Sequence, residues 1–213
     1  MIKLRIATGV GLLLFMATMF CGPVGMSQAQ TNGGVTLASL AGKFTSKGSG
    51  SYTLCFGASF SALVDCASTP HEEVPFNMTA VAHNVRDAAG NSCGVTNLAL
   101  TDASVYGTST KLPARINFTA TNVSTTTAFD PTTGSGSSSV SQYRGGRCVG
   151  AMFDSTGAVL TGTGTQSFMV SDSGNRIDTI LTSFSMVTSP FGVAGSIKET
   201  MPMVKATSIR ESD

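Results

Sequence analysis

The sequence predicts an all-β protein: an antiparallel β-barrel of about 8–10 strands, with a two-sheet β-sandwich as the alternative. Three observations predict it. Runs of alternating apolar and polar residues recur along most of the chain, separated by turns rich in Gly, Ser, Asn and Asp. The Glu/Lys/Arg faces that solubilise helices are missing, charged residues making up only 12% of the chain. Four cysteines, Cys55, Cys66, Cys93 and Cys148, stand in the part of the chain that carries the strand pattern, an even number suited to a disulfide framework. The barrel leads the sandwich because closure removes sheet edges, which a long-stranded protein with few charged gatekeepers must protect.

Residues 1–29 read as a signal peptide. Lys3 and Arg5 give a positive start, Ile6 to Cys21 is an apolar run, and Ser27-Gln28-Ala29 supplies the small–x–small pattern of a cleavage site. The apolar run is short for a membrane span of ~20 residues, and no basic stop-transfer cluster follows it. Met19-Phe20 before Cys21 lacks the small residue that lipid attachment wants. The expectation is therefore a secreted or periplasmic protein of bacterial appearance, with no membrane association after cleavage. Residues 30–206 form one β domain in this reading, with Gln30 to Gly34 and a C-terminal tail, 207–213, loose.

Removing Lys3 and Arg5 from 13 Lys and Arg leaves one charge fewer than the 12 Asp and Glu. No block of like charge remains, so nothing calls for nucleic acid or an anionic membrane as partner. Cys55 and Cys66 flank a short loop and suit a local bridge, which leaves Cys93 and Cys148 to join distant parts of the sheet. Bridges of this order typically stabilise by ~2–4 kcal/mol. Zinc would want close pairs such as C-x-x-C, and the sequence has none.

The elements follow in order. Leu40 to Thr45 and Ser51 to Phe56 flank SKGSG and read as a first hairpin. Ser59 to Cys66 (SFSALVDC) is the one short helical candidate. Val74 to Arg86 alternates, with Val74, Phe76, Met78, Ala80 and Ala82 on one face and Asn77, Thr79, Val81, His83 and Val85 on the other. The turn DAAGN offers Gly90-Asn91 for left-handed backbone. Gly94 to Thr101 and Arg115 to Phe129 come next, the latter ended by Asp130-Pro131, since Pro has no N–H for the ladder. Thr132 to Ser141 reads as a flexible loop or weak edge strand. Val140 to Tyr143, Arg147 to Phe153, Ala158 to Val170, Ile177 to Val187 and Gly195 to Val204 complete the set. FDPTTG at 129–134 and FDSTG at 153–157 are two similar strand-ending turns rather than a duplicated domain.

Within GTGTQSFMVSDSGNRIDTILTSF (162–184), a loop over Asp172 to Arg176 would set Phe168 opposite Ile180 and Gly164 opposite Phe184. Thr165 then faces Ser183, and Met169 faces Thr179. That register turns a Phe/Ile side inward and gives the glycines a packing role, with a small residue making room for a ring.

Candidate sites are few. His71-Glu72-Glu73 is the one cluster of His with carboxylates, but Pro75 stands where a zinc-protease helix needs its second His. His83 is the only other histidine, and two His with one Glu make a thin ligand set. Neither metal nor cofactor is called for. No G-x-S-x-G appears, and Gly48-Ser49-Gly50 and Gly134-Ser135-Gly136 lack its surroundings. Tyr143-Arg144-Gly145-Gly146-Arg147 is the densest basic spot, and arginines at such a turn are usually solvated. Asn77, Asn117 and Asn122 fit the N-glycosylation pattern, which arises often by chance in a Ser/Thr-rich chain.

The chain has no Trp. It thus lacks the Trp that marks lipocalins and the Trp cage of avidin-type barrels, and is similar to such calycin-type barrels in architecture only. Two functions remain. One is a barrel that binds a small apolar ligand, motivated by Gly150, Gly162 and Gly164 interleaved with Phe, Met and Leu; it requires an interior cavity. The other is a non-enzymatic cell-surface or extracellular protein that contacts proteins or glycans through an exposed patch or a paired edge. An enzyme ranks behind both, because no acid/base pair can be nominated.

Overall fold

The computed structural model describes residues 34–60, 62–102, 115–188, 193–198 and 204–212. Its strands are β1 (Gly42–Gly57), β2 (His71–Arg86), β3 (Asn91–Asp102), β4 (Arg115–Asp130), β5 (Ser135–Arg144), β6 (Arg147–Val149), β7 (Met152–Asp154), β8 (Val159–Ser171), β9 (Arg176–Met186), β10 (Ile197–Lys198) and β11 (Lys205–Arg210). Eight of them form a closed antiparallel barrel in the order β1-β11-β9-β8-β5-β4-β3-β2, with β2 pairing back to β1. The short β10 extends the sheet beside the second half of β1, pairing Leu54 with Ile197, and β6 and β7 form a separate hairpin. Residues 1–29, for which the sequence leads one to expect a signal peptide, and residues 30–33 lie outside the described residues.

Several segments depart from the sequence expectation, each for a physical reason. SKGSG is no turn: β1 runs straight through it, paired residue by residue with β2 from Gly42↔Arg86 to Gly57↔His71. Gly and Ser are poor strand formers alone, and here the long partner on each side overrides propensity. The Ser/Thr/Gly run after Thr132 is β5, a barrel strand held between β4 and β8. The tail from Thr207 is likewise in a strand, since Lys205–Arg210 pairs with both β1 and β9 and closes the cylinder. Among the described residues of the helical candidate, helical structure is limited to the 3-10 turn Ala58–Phe60, with Ser59 at φ 57°. Arg147 to Phe153 splits into β6 and β7 around Gly150, and Gly195 to Val204 supplies only the two residues of β10 among its described part.

The two look-alike turns share one mechanism. The Asp130 carboxylate accepts the N–H of Thr132 (2.8 Å) and the hydroxyl of Thr133 (2.9 Å), and Gly134 closes the turn at φ +70°. Asp154 does the same with the N–H and hydroxyl of Thr156 and also accepts Arg147 Nε, interactions that hold its carboxyl down at about 2.

Disulfides join Cys55 to Cys66 and Cys93 to Cys148. The second pins the β6–β7 hairpin onto β3. Cys93 lies on the opposite face of β3 from the lumen-lining Ser92, Thr96 and Leu98, and the hairpin covers it completely.

Two apolar clusters occupy the two ends of the barrel. At one end Leu54, Phe56, Val74, Phe76, Leu98 and Leu100 pack with Ile197. At the other, Val35 and Leu40 from the segment before β1 pack on Phe44, Phe168, Val170 and Ile177. Arg210 fastens this end: Nη1 donates to Ala41 O (2.8 Å), Nη2 to Ser39 O (2.6 Å) and Gly174 O (3.3 Å), and the guanidinium lies 5.1 Å from the Phe44 ring centre.

The β8–β9 hairpin keeps the expected register only away from its turn. Gly164 faces Phe184 and Thr165 faces Ser183, but an extra residue at Thr182 shifts the ladder, so Phe168 meets Thr179 and Val170 meets Ile177. The loop is one residue shorter than expected, Asp172–Asn175, with Gly174 at φ +91°. Ile180 therefore points outward, 40% exposed, while Phe168 and Ile177 are buried. The glycines do serve packing: the Phe184 ring lies over Gly162 and Gly164, and a Cβ at Gly164 would overlap the Ser183 carbonyl oxygen. Gly164→Val should therefore lower unfolding stability by about 1–3 kcal/mol in a urea titration. An unchanged midpoint would contradict this packing.

Candidate functional site

Between its two apolar ends the barrel holds a partly open cavity of about 200 Å³, lined by residues of all eight barrel strands. The room comes from small residues. Gly48, Ala80 and Ala206 face one another across β1, β2 and β11, and a Cβ at Gly48 would lie 3.5 and 3.7 Å from the other two Cβ atoms. Close-packed interiors fill such space, so a wall of Gly and Ala is what leaves it open. Met78, Leu98, Leu181 and Phe184 supply large apolar surface around it. The volume lies between the ~150 Å³ apolar cavity that admits a benzene and the ~300 Å³ lower end of drug-sized pockets.

The polar side chains on this wall are mostly spent on each other. Asn84 Nδ2 donates to Ser46 Oγ (2.6 Å), which also lies 2.7 Å from Ser208 Oγ. Asn122 Nδ2 donates to Thr96 Oγ1 (2.6 Å), and the hydroxyls of Ser92 and Ser124 are 2.9 Å apart. Gly94 is part of this arrangement, because the Asn84 amide occupies the place its side chain would fill. Such cross-strand pairs fix rotamers and keep the wall in one arrangement.

Two titratable groups on the wall are shifted. Burial pushes the Tyr52 phenol up to about 12. Arg86 is 9% exposed, its Nη1 is buried with no hydrogen-bond partner, and burial draws its guanidinium below the ordinary value, with the field of Asp87 acting the other way.

The residues singled out in the sequence lie elsewhere. His71 and His83 are twelve positions apart on one extended strand, roughly 40 Å of chain, and so do not share a ligand. His71 sits 3.4 Å from Glu73, which accepts Lys198 Nζ at 2.7 and 2.8 Å; His83 lies 3.2 Å from Glu211 and 3.3 Å from Thr45 Oγ1. Tyr143 packs on Phe153 with ring centres 4.4 Å apart, and Arg147 pairs with Asp154, so this basic spot builds the β6–β7 hairpin. Gly150, given a cavity role by the sequence, is instead an open turn residue at φ +62°. Gly48-Ser49-Gly50 lies within β1, and Gly134-Ser135-Gly136 opens β5. Asn77 and Asn117 are exposed, whereas Asn122 faces the lumen.

Arg86 and Tyr52 were missed, although a signal existed. Arg86 has the same parity as Val74, Phe76, Met78, Ala80 and Ala82, and Tyr52 the same as Leu54 and Phe56; in an unbroken strand parity alone turns them inward. Comparison of the chain with protein-family models, curated proteins and solved structures finds no match.

The Tyr52 shift has a defined sign. A phenol near 10 in the unfolded chain and near 12 in the fold gives stability that is fully present below pH ~10 and is lost as pH rises toward 12. An ultraviolet phenolate titration should therefore show one of the three tyrosines ionising late, near pH 12, and Tyr52→Phe should remove that step. Complete ionisation near pH 10 in the folded protein would contradict it.

Proposed function

We propose that this chain is an exported, non-enzymatic binding barrel that holds one small, mostly apolar molecule in its lumen. The observation that carries this reading is the cavity of about 200 Å³ with a mostly apolar wall, flanked by an apolar cluster at either end. A chain selected only for stability gains by filling such a space, since empty volume forfeits dispersion contacts. Here three facing small residues keep it open, and a hydrogen-bonded polar network shapes the remainder. The two disulfides suit an oxidising compartment, and the leader-like segment that ends at Ala29 supports export. The alternative, a surface or extracellular protein that contacts glycans or other proteins, called for a pairable edge. Closure through β1 leaves the barrel strands paired on both sides.

Toluene is a neutral probe that matches the space. Calorimetric titration should show it binding the wild-type protein, with Ala80→Leu/Ala206→Leu weakening it at least tenfold while the fold is retained by circular dichroism. Native mass spectrometry of protein recovered from an oxidising compartment should show a small co-purifying mass. Equal toluene affinity in the filled variant, or no binding to either protein, would count against lumen binding.

A further inference from the structure

We propose that the lumen ligand carries a carboxylate, and that Arg86 is the group that receives it. The inference rests on the lumen being a binding site and adds the chemical class of what binds. Arg86 ends β2 on the same inward face as Met78, Ala80 and Ala82, and it lines the cavity. More than nine-tenths of the residue is buried, and Nη1 has no hydrogen-bond partner. Among the described residues no carboxylate forms an ion pair with it. Its chain neighbour Asp87 is committed to the β2–β3 turn, where Oδ1 accepts the N–H groups of Ala89 (3.0 Å) and Asn91 (2.8 Å) and Oδ2 accepts Asn91 Nδ2 (3.0 Å). The Phe168 ring, centred 5.4 Å from Cζ, offers only partial compensation.

Arg210 is the internal control. It also lies over a phenylalanine ring, and its Nε too is buried without a partner, but both its terminal nitrogens are taken up by the carbonyls of Ala41, Ser39 and Gly174. That is how an arginine serves structure in this fold. Arg86 has no such carbonyls, and a buried cation without an anion is costly unless something supplies one.

A second unpartnered group lies on β5, separated from β2 in the sheet by β3 and β4. Ser138 Oγ is buried without a hydrogen bond, and Ser138 shares the interior face of β5 with lumen-lining Val140 on one side and Gly136 on the other. The Phe168 ring that lies under Arg86 packs against Gly136. A planar guanidinium with free N–H groups matches a carboxylate in geometry as well as charge. The large apolar surface of Met78, Leu98, Leu181 and Phe184 then asks for a hydrocarbon body, which excludes a bare inorganic anion as the fitted ligand. The cavity volume sets the scale at a short-chain fatty acid or a single-ring aromatic acid.

Calorimetry on the full chain with intact disulfides tests this with hexanoate, 1-hexanol and inorganic phosphate. Hexanoate should bind at least tenfold more tightly than 1-hexanol, and phosphate should not displace it. Arg86→Met should abolish that advantage while toluene and 1-hexanol still bind, and Arg86→Lys should keep part of it. In the wild-type protein, the Arg86 Nε–H resonance should shift on adding hexanoate, a readout that needs no variant. Equal affinity for hexanoate and 1-hexanol in the wild type would overturn the carboxylate assignment and leave lumen binding standing. Displacement by phosphate would make the site a simple anion site and overturn the hydrocarbon part. If toluene, hexanol and hexanoate all fail to bind, the lumen reading itself falls.

Discussion

Closure through β1 is the constraint on which the rest of this structure depends. The strand pairs with β2 along its whole length on one side and with β11 and then β10 on the other. Because that closure forces every barrel strand to show one face to a common interior, a two-residue period becomes an inside and an outside. It also explains why β1 crosses SKGSG without turning. Two well-paired partners outweigh the low intrinsic preference of Gly and Ser for extended structure. In return, Gly48 brings the bare backbone of β1 to the lumen, opposite Ala80 and Ala206. The segment least like a strand in the sequence thus creates the space inside the barrel.

The interior is divided along the barrel. Apolar clusters fill both ends, and the middle holds a cavity with serines, asparagines and threonines paired across neighbouring strands. A network of that kind presents a fixed arrangement to a guest, since its members have already satisfied one another. Arg86 breaks the pattern, and so does Ser138, the buried hydroxyl left unpaired on β5. Arg210 Nε is buried and unpaired as well, but its guanidinium is anchored by three carbonyls, whereas Arg86 has none.

Much of this was legible in the sequence. Alternation in 74–86 and 115–129 is strong because each strand has one face inside and one outside. The FDPTTG and FDSTG turns carry their own chemistry in an Asp followed two residues later by a Thr N–H. What could not be read depended on partners distant in sequence. β5 and β11 are too polar to announce themselves, and they are strands because the flanking strands supply a complete ladder. In the β8–β9 hairpin the bulge at Thr182 comes from the needs of a closed, twisted sheet, and no local pattern encodes it. The candidate site followed the same logic. Glu73 and Arg147 drew attention as chemical groups and proved to be exposed ion-pair members, with the half-buried His71 beside Glu73, while Arg86 looked like the end of a strand. Its parity with Val74 and Met78 was visible, but its meaning required that β2 face an enclosed lumen.

The central claim is that the barrel holds an open, guest-sized space between its two apolar ends. Crystals of the protein pressurised with xenon test that most directly, since xenon enters apolar cavities without needing a polar anchor. The account predicts a xenon peak inside the barrel, bounded by Met78, Leu98, Leu181 and Phe184. An interior in which these side chains meet one another, with no xenon between them, would contradict it.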